Sequence, residues 1–216
     1  LRQCSDVPIV IGNTVASSIH EELLKNTATD IAVMGEGDVT IVELLNALEH
    51  GTSLAEVAGI AYRDGGKTRT TALRSLIPSL DEHHSIDWEL FQIESYLERS
   101  KDTVSQPYPR PYEQLRAMPI NTARGCPYQC TFCYHAFFGK PYRTRSAEAI
   151  IDEIKFMHER YGVNYLHFWD ELTFLSKKQC RRFVESLIAA QLDVHWSAVC
   201  RSDLFGPGDE ELVSLM

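Results

Sequence analysis

The chain of 216 residues is 44% hydrophobic and 24% charged, ordinary for a folded protein and wrong for a disordered or fibrous one. Its formal net charge of −9 argues against a general nucleic-acid surface, which needs a basic stripe. No apolar run approaches a membrane span and Leu1 to Val10 lacks the apolar centre of a signal peptide, so a cytoplasmic setting is expected.

The start at Leu1, without an initiator Met, and the stop at Met216 inside an apparent helix suggest a fragment. Pro8 to Gly12 reads as a short apolar strand, followed by a helix from Ser17 to Asn26. Asp30 to Met34 is a second strand, closed by Gly35-Glu36-Gly37. The next helix takes Asp38 or Thr40 as its cap, buries Val42, Leu45 and Leu48 on one face, and ends at Gly51. Buried, non-alternating strands between helices imply a parallel sheet, so residues 8–51 read as the last part of an open α/β domain. Gly12-Asn13-Thr14 and Gly35-Glu36-Gly37 both follow strands. Open sheets place ligands there, although such turns also simply connect strand to helix.

Ile60 to Thr71 reads as a hairpin around Asp64-Gly65-Gly66. Proline-rich residues 74–117 form a connector with one short helical piece between Trp88 and Leu97, and the adjacent His83 and His84 are expected to be solvated. Met118 to Thr122 is then a strand that delivers a loop carrying Cys126, Cys130 and Cys133. Six cysteines scattered at random would produce this C-x3-C-x2-C spacing in roughly one sequence in 400, so chance is a poor explanation. An iron–sulfur cube usually takes four cysteines, and three leave one iron open to a small molecule. The alternative is a Cys3His zinc site completed by His135, which follows Cys133 more closely than zinc spacing usually allows. Cys4, Cys180 and Cys200 are scattered and read as structural thiols.

Ser146 caps a helix running to Tyr161, with Ile150, Ile151, Ile154 and Met157 on its buried face and Gly162 as its stop. Val163 to Trp169 is a strand ending in Asp170-Glu171, Ser176 caps a helix to Ala190, and Leu192 to Val199 is a strand ending near Arg201. An acidic group and an arginine at neighbouring strand ends suit a zwitterionic amino acid, and Ser197 adds a polar contact on the Arg201 side. The alternative is that Arg201 pairs with Asp203 or Asp170 as a simple surface bridge. His158 is expected on a helix surface, His167 and His195 as satisfied strand histidines, and Tyr142, Arg143 and Arg145 as closing over the cysteine loop.

The cysteine loop, with Phe132 before its last cysteine and Tyr134 after it, resembles the signature of radical S-adenosylmethionine (SAM) enzymes. The resemblance implies a [4Fe–4S] cluster on Cys126, Cys130 and Cys133, with SAM on its open iron. It implies Phe132 and Tyr134 at the adenine, Asp170 and Glu171 near the methionine amino group, and Ser197 and Arg201 near its carboxylate. It also implies a reductant such as flavodoxin or ferredoxin. The glycine turns, hairpin and proline-rich connector are similar to the cobalamin-binding members of that family, which places tentative cobalamin contacts at Gly12, Asn13, Thr14, Gly35, Glu36 and Gly37. The usual glycine pair is here Gly12-Asn13. The fold implied is α/β: the C-terminal part of an open Rossmann-like cobalamin-binding domain with its hairpin (1–73), a linker (74–117), and the first half of a partial (β/α)6 TIM-type barrel (118–216). The activity implied is cobalamin-dependent methylation of an unactivated carbon, with ring formation or rearrangement as the alternative; the substrate is not identified.

Overall fold

The computed structural model describes residues 3–83, 86–134 and 141–216. The protein is mixed α/β and divides into two compact units: Leu1–Pro78 with Gly125–Pro141, and Ser79–Arg124 with Tyr142–Met216. The cysteine loop therefore belongs to the first unit, and residues 79–117 belong to the second.

The first unit runs β1 (Val10–Ile11), α1 (Asn13–Asn26), β2 (Ile31–Val33), α2 (Gly37–His50), β3 (Ile60–Asp64) and β4 (Lys67–Thr70). The strands lie in the order β1-β2-β3-β4, with β1 and β2 parallel and the later pairs antiparallel. Strand side chains alternate between faces. Ala32, Met34 and Ala61 accordingly meet Ala16 and Leu24 of α1, while Ile31, Val33, Ile60 and Tyr62 meet Leu44 and Ala47 of α2. Each large aliphatic chain buried this way stabilises the fold by about 1.5–3 kcal/mol.

Two expectations for α2 fail. Val42, Leu45 and Leu48 are its exposed stripe, at 56%, 55% and 36%, and Thr40, Leu44 and Ala47 are buried. Apolar residues make up half of this helix and lie on more than one side, so periodicity alone does not choose the face; the sheet selects the side that carries small Thr40 and Ala47. Nor do Asp38 and Thr40 cap the helix, which already begins at Gly37. Thr40 sits inside the first turn, where its hydroxyl accepts from Arg74 Nε at 2.9 Å.

The second unit contains α3 (Ile93–Ser100), β5 (Ala117–Ile120), β6 (Ala123–Arg124), β7 (Arg143–Thr144), α4 (Ala147–Tyr161), β8 (Tyr165–Phe168), α5 (Lys177–Ala189), β9 (His195–Ser197) and α6 (Glu210–Leu215). Strands β5, β8 and β9 form a parallel sheet in the order β5-β8-β9, joined through α4 and α5, while β6 and β7 pair antiparallel. Parallel neighbours require such helical crossovers. The caps are those expected. Ser146 Oγ accepts from Ala149 N at 3.1 Å, Ser176 Oγ accepts from Gln179 N at 3.2 Å, and Gly162 closes α4 at φ +65°.

The two sheet faces differ. Met118, Ile120, Leu166 and Phe168 pack against Ile150, Ile154, Met157, Phe183 and Val184 of the two helices, and Trp196 stacks on Phe168 at 5.7 Å between ring centroids. The opposite face of β8 carries Tyr165, His167 and Trp169 in a row, with centroids 4.9 and 6.2 Å apart. Among the described residues, no helix is long and apolar enough to cross a membrane.

Candidate functional site

Strand β5 ends at Ile120, and β6 begins three residues later as the stem of the cysteine loop. Asp170, just beyond β8, holds that stem. Its Oδ1 accepts from Thr122 N at 2.7 Å and from Ala123 N at 3.0 Å, while its Oδ2 accepts from the Thr122 hydroxyl at 2.6 Å. The carboxylate is buried, as are Thr122 and Ala123. Neighbouring Glu171 is exposed. The expectation that both acids face a ligand therefore meets two different environments: Asp170 is engaged by the backbone, and Glu171 lies open to solvent.

The returning stem is held from the same turn. Tyr142 donates its hydroxyl to Thr173 O at 2.7 Å, and Gln179 Nε2 reaches the Tyr142 hydroxyl at 2.9 Å and Thr173 O at 3.0 Å. Thr144 Oγ1 donates to Thr122 O at 3.2 Å, linking the two stems. Arg145 does not close over the loop. Its side chain is buried, donating to Asn121 O at 3.1 Å and pairing with Glu153. Burial pushes the Glu153 carboxyl up from its ordinary range although Arg145 opposes this.

Within the loop, Cys126 and Cys130 are half-buried, Cys133 is exposed, and Cys133 N donates to Cys130 O at 3.1 Å. Gly125 enters the loop at φ +84°, a conformation that favours glycine. Among the described residues, no three His, Cys, Asp or Glu side chains converge as a site for a metal ion. The donor set nevertheless fits an iron–sulfur cluster in kind, with three accessible thiols on one short loop. Phe132 is 87% exposed and Tyr134 62%, the latter with its hydroxyl against Ser18 of α1. His135 and His84 lie outside the described residues.

Around the second sheet, Ser197 Oγ meets His167 Nδ1 at 3.0 Å, and His167 Nε2 meets Thr103 Oγ1 at 2.9 Å. His167 is thus the satisfied strand histidine expected, and burial lowers its pKa. Arg201 forms a two-pronged pair with Asp203 at 2.8 and 2.9 Å, the surface bridge that the sequence also allowed. His158 is not a plain surface residue, because its Nδ1 lies 2.8 Å from Val163 O at the end of α4. A cleft of about 460 Å³ lies among Arg145, Ser146, Phe168, Phe174, Gln179 and Phe183. No residue expected to hold SAM lines it.

In the first unit, the turns after β1 and β2 are neighbours. Gly35 N donates to Ser17 Oγ at 2.9 Å, and Ser17 Oγ donates to Asn13 O at 3.3 Å. Asn13 adopts φ +75°, which asparagine tolerates better than most residues. Glu36 is 5% exposed and accepts from Ile77 N at 2.7 Å, tying the start of α2 to the end of the unit. Sequence reasoning missed these clasps, along with Thr122 and Gln179. Their only signal was an acidic residue just past a buried strand.

Comparison with known proteins agrees with this layout. Residues 120–202 match the Radical SAM superfamily. An uncharacterized methyltransferase of Pyrococcus horikoshii is 32% identical over 177 residues, covering 82% of this chain and 36% of its own length. An anaerobic magnesium-protoporphyrin IX monomethyl ester cyclase of Rubrivivax gelatinosus is 30% identical over 216 residues, covering 97% of this chain and 36% of its own. The chain thus spans about a third of the length of these curated relatives. The radical SAM methyltransferase TsrM of Kitasatospora setae, solved with cobalamin and a [4Fe–4S] cluster, shares the fold at 20% identity. Its TM-score is 0.68, with 99% of this chain and 41% of that one covered. With the cysteine loop, the strand-end acids and the sequence match falling in one segment, the chain belongs to the radical S-adenosylmethionine superfamily.

Proposed function

We propose that this chain is part of an enzyme that holds a [4Fe–4S] cluster on Cys126, Cys130 and Cys133 and cleaves SAM reductively, with methyl transfer to an unactivated carbon as the outcome. The observation that carries this reading is the three-thiol loop, whose two stems are fixed to the turn after β8. When bound, the cluster supplies the electron that cleaves SAM to a 5′-deoxyadenosyl radical, and cobalamin supplies a carrier for the methyl group.

The residues have distinct parts in this reading. Glu171 offers a solvent-facing carboxylate for the methionine ammonium, and Arg201 offers its guanidinium for the carboxylate by exchanging its Asp203 partner. Ser197 meets His167 on the β8 face opposite the helices, which argues for a supporting part there. Phe132 and Tyr134 supply apolar and backbone contacts for an adenine. Strands β5, β8 and β9 are read as the first three of a partial (β/α)6 barrel, whose chemistry lies at strand carboxyl ends. The turns at Gly12, Asn13, Thr14, Gly35 and Gly37 are read as a cobalamin platform, with Glu36 as its internal brace. A flavodoxin or ferredoxin would supply electrons.

The name of the Rubrivivax relative supports ring formation as a second reading. Incubating the anaerobic intact protein with SAM and dithionite should release 5′-deoxyadenosine. S-adenosylhomocysteine released with it would support methyl transfer, whereas 5′-deoxyadenosine alone would favour ring formation. A protein with its full iron content that cleaves no SAM would overturn both.

A further inference from the structure

We propose that Asp170 is a positioning residue, whose carboxylate sets the stem from which the three-cysteine loop departs. This rests on the cluster reading above and assigns Asp170 a part different from that of Glu171. The two acids are adjacent in sequence, yet one is buried and the other exposed. Three donors converge on Asp170, namely the amides of Thr122 and Ala123 and the hydroxyl of Thr122, all at 3.0 Å or less. A buried carboxylate that accepts two backbone amides and a hydroxyl is well satisfied as it stands. Turning it toward a ligand's ammonium would strand those donors away from water.

The clasp also has a directional consequence. Ala123 begins β6, and Cys126 follows Arg124 by only two residues, so an error at the stem passes directly into the first thiol. The returning stem, held by Tyr142 and Gln179, is tied to the same 170–179 stretch. One turn therefore fixes both ends of a loop whose thiols must meet one cluster. Asparagine at 170 retains a carbonyl oxygen for the two amides, and its amide group can donate to the Thr122 oxygen. Alanine retains neither.

The test compares Asp170→Asn, Asp170→Ala and Glu171→Gln in the anaerobically reconstituted intact protein, reading iron content, the electron paramagnetic resonance (EPR) spectrum of the reduced cluster without SAM, and SAM binding. Asp170→Ala should lose at least half of its iron or give a broadened, heterogeneous EPR signal before any SAM is added. Asp170→Asn should restore the wild-type spectrum. Glu171→Gln should keep the spectrum and weaken SAM binding. If both Asp170 variants keep wild-type iron and EPR spectra and lose only SAM affinity, Asp170 is a ligand contact and the proposal fails.

Should Asp170→Ala not fold, Thr122→Val, which removes one of the three bonds, takes its place. The expected result is again a changed SAM-free spectrum, and an unchanged one counts against the clasp. If the wild-type protein binds no iron, the cluster reading fails instead. The clasp is then read from hydrogen exchange at the Thr122 and Ala123 amides, which should be slow in wild type and at least tenfold faster in Asp170→Ala; equal rates would overturn it.

Discussion

The turn after β2 and the turn after β8 solve the same problem with different partners. Each places a buried carboxylate just past a strand and turns it inward to backbone amides. Glu36 takes Ile77 N in the first unit, and Asp170 takes Thr122 N, Ala123 N and the Thr122 hydroxyl in the second. The residues left facing outward differ as well. After β2 they are glycines, with Gly35 at φ +73° and open space where a Cβ would stand. After β8 it is charged Glu171. An acid just past a strand is therefore not by itself free to meet a ligand, and burial together with backbone donors marks a brace.

The comparison can be broken by substitution, with effects of decreasing size. Asp170→Ala leaves three buried donors without an acceptor and should cost about 3–5 kcal/mol of stability, measured by denaturant unfolding. Glu36→Ala removes an acceptor from Ile77 N and should cost about 1–3 kcal/mol, with protection from hydrogen exchange reduced at that amide. Gly35→Ala has room for its methyl group but not the backbone freedom, and should cost about 1 kcal/mol. Glu171→Gln should leave stability within about 0.5 kcal/mol of wild type. It should instead raise the SAM concentration needed for half-saturation roughly tenfold, the loss expected for one charge-assisted hydrogen bond. A large destabilisation by Glu171→Gln would place both acids in the same class and erase the distinction.

The sequence made some of this legible and hid the rest for definite reasons. The caps Ser146 and Ser176, the stop at Gly162 and the buried stripe of α4 are local signals, and each element obeys them. The face of α2 was not legible because Val42, Leu45 and Leu48 recur at a helical spacing, as do the residues of the side that packs. The cysteine loop stood out in the sequence because three thiols in one spacing carry information that composition does not. Which acid braces and which is exposed was not. The bonds from Asp170 to Thr122 and Ala123 span about fifty residues, and no local pattern encodes them. Arg145 misled for the same reason: next to the loop in sequence, it belongs in space to Glu153 and Asn121.

The most direct test of the account is the metal content of the intact protein, purified without oxygen and measured by elemental mass spectrometry beside its Cys130→Ala variant. The account predicts about four irons per chain in the wild type and almost none in the variant. Zinc in place of iron, or full iron retained after Cys130→Ala, would contradict it.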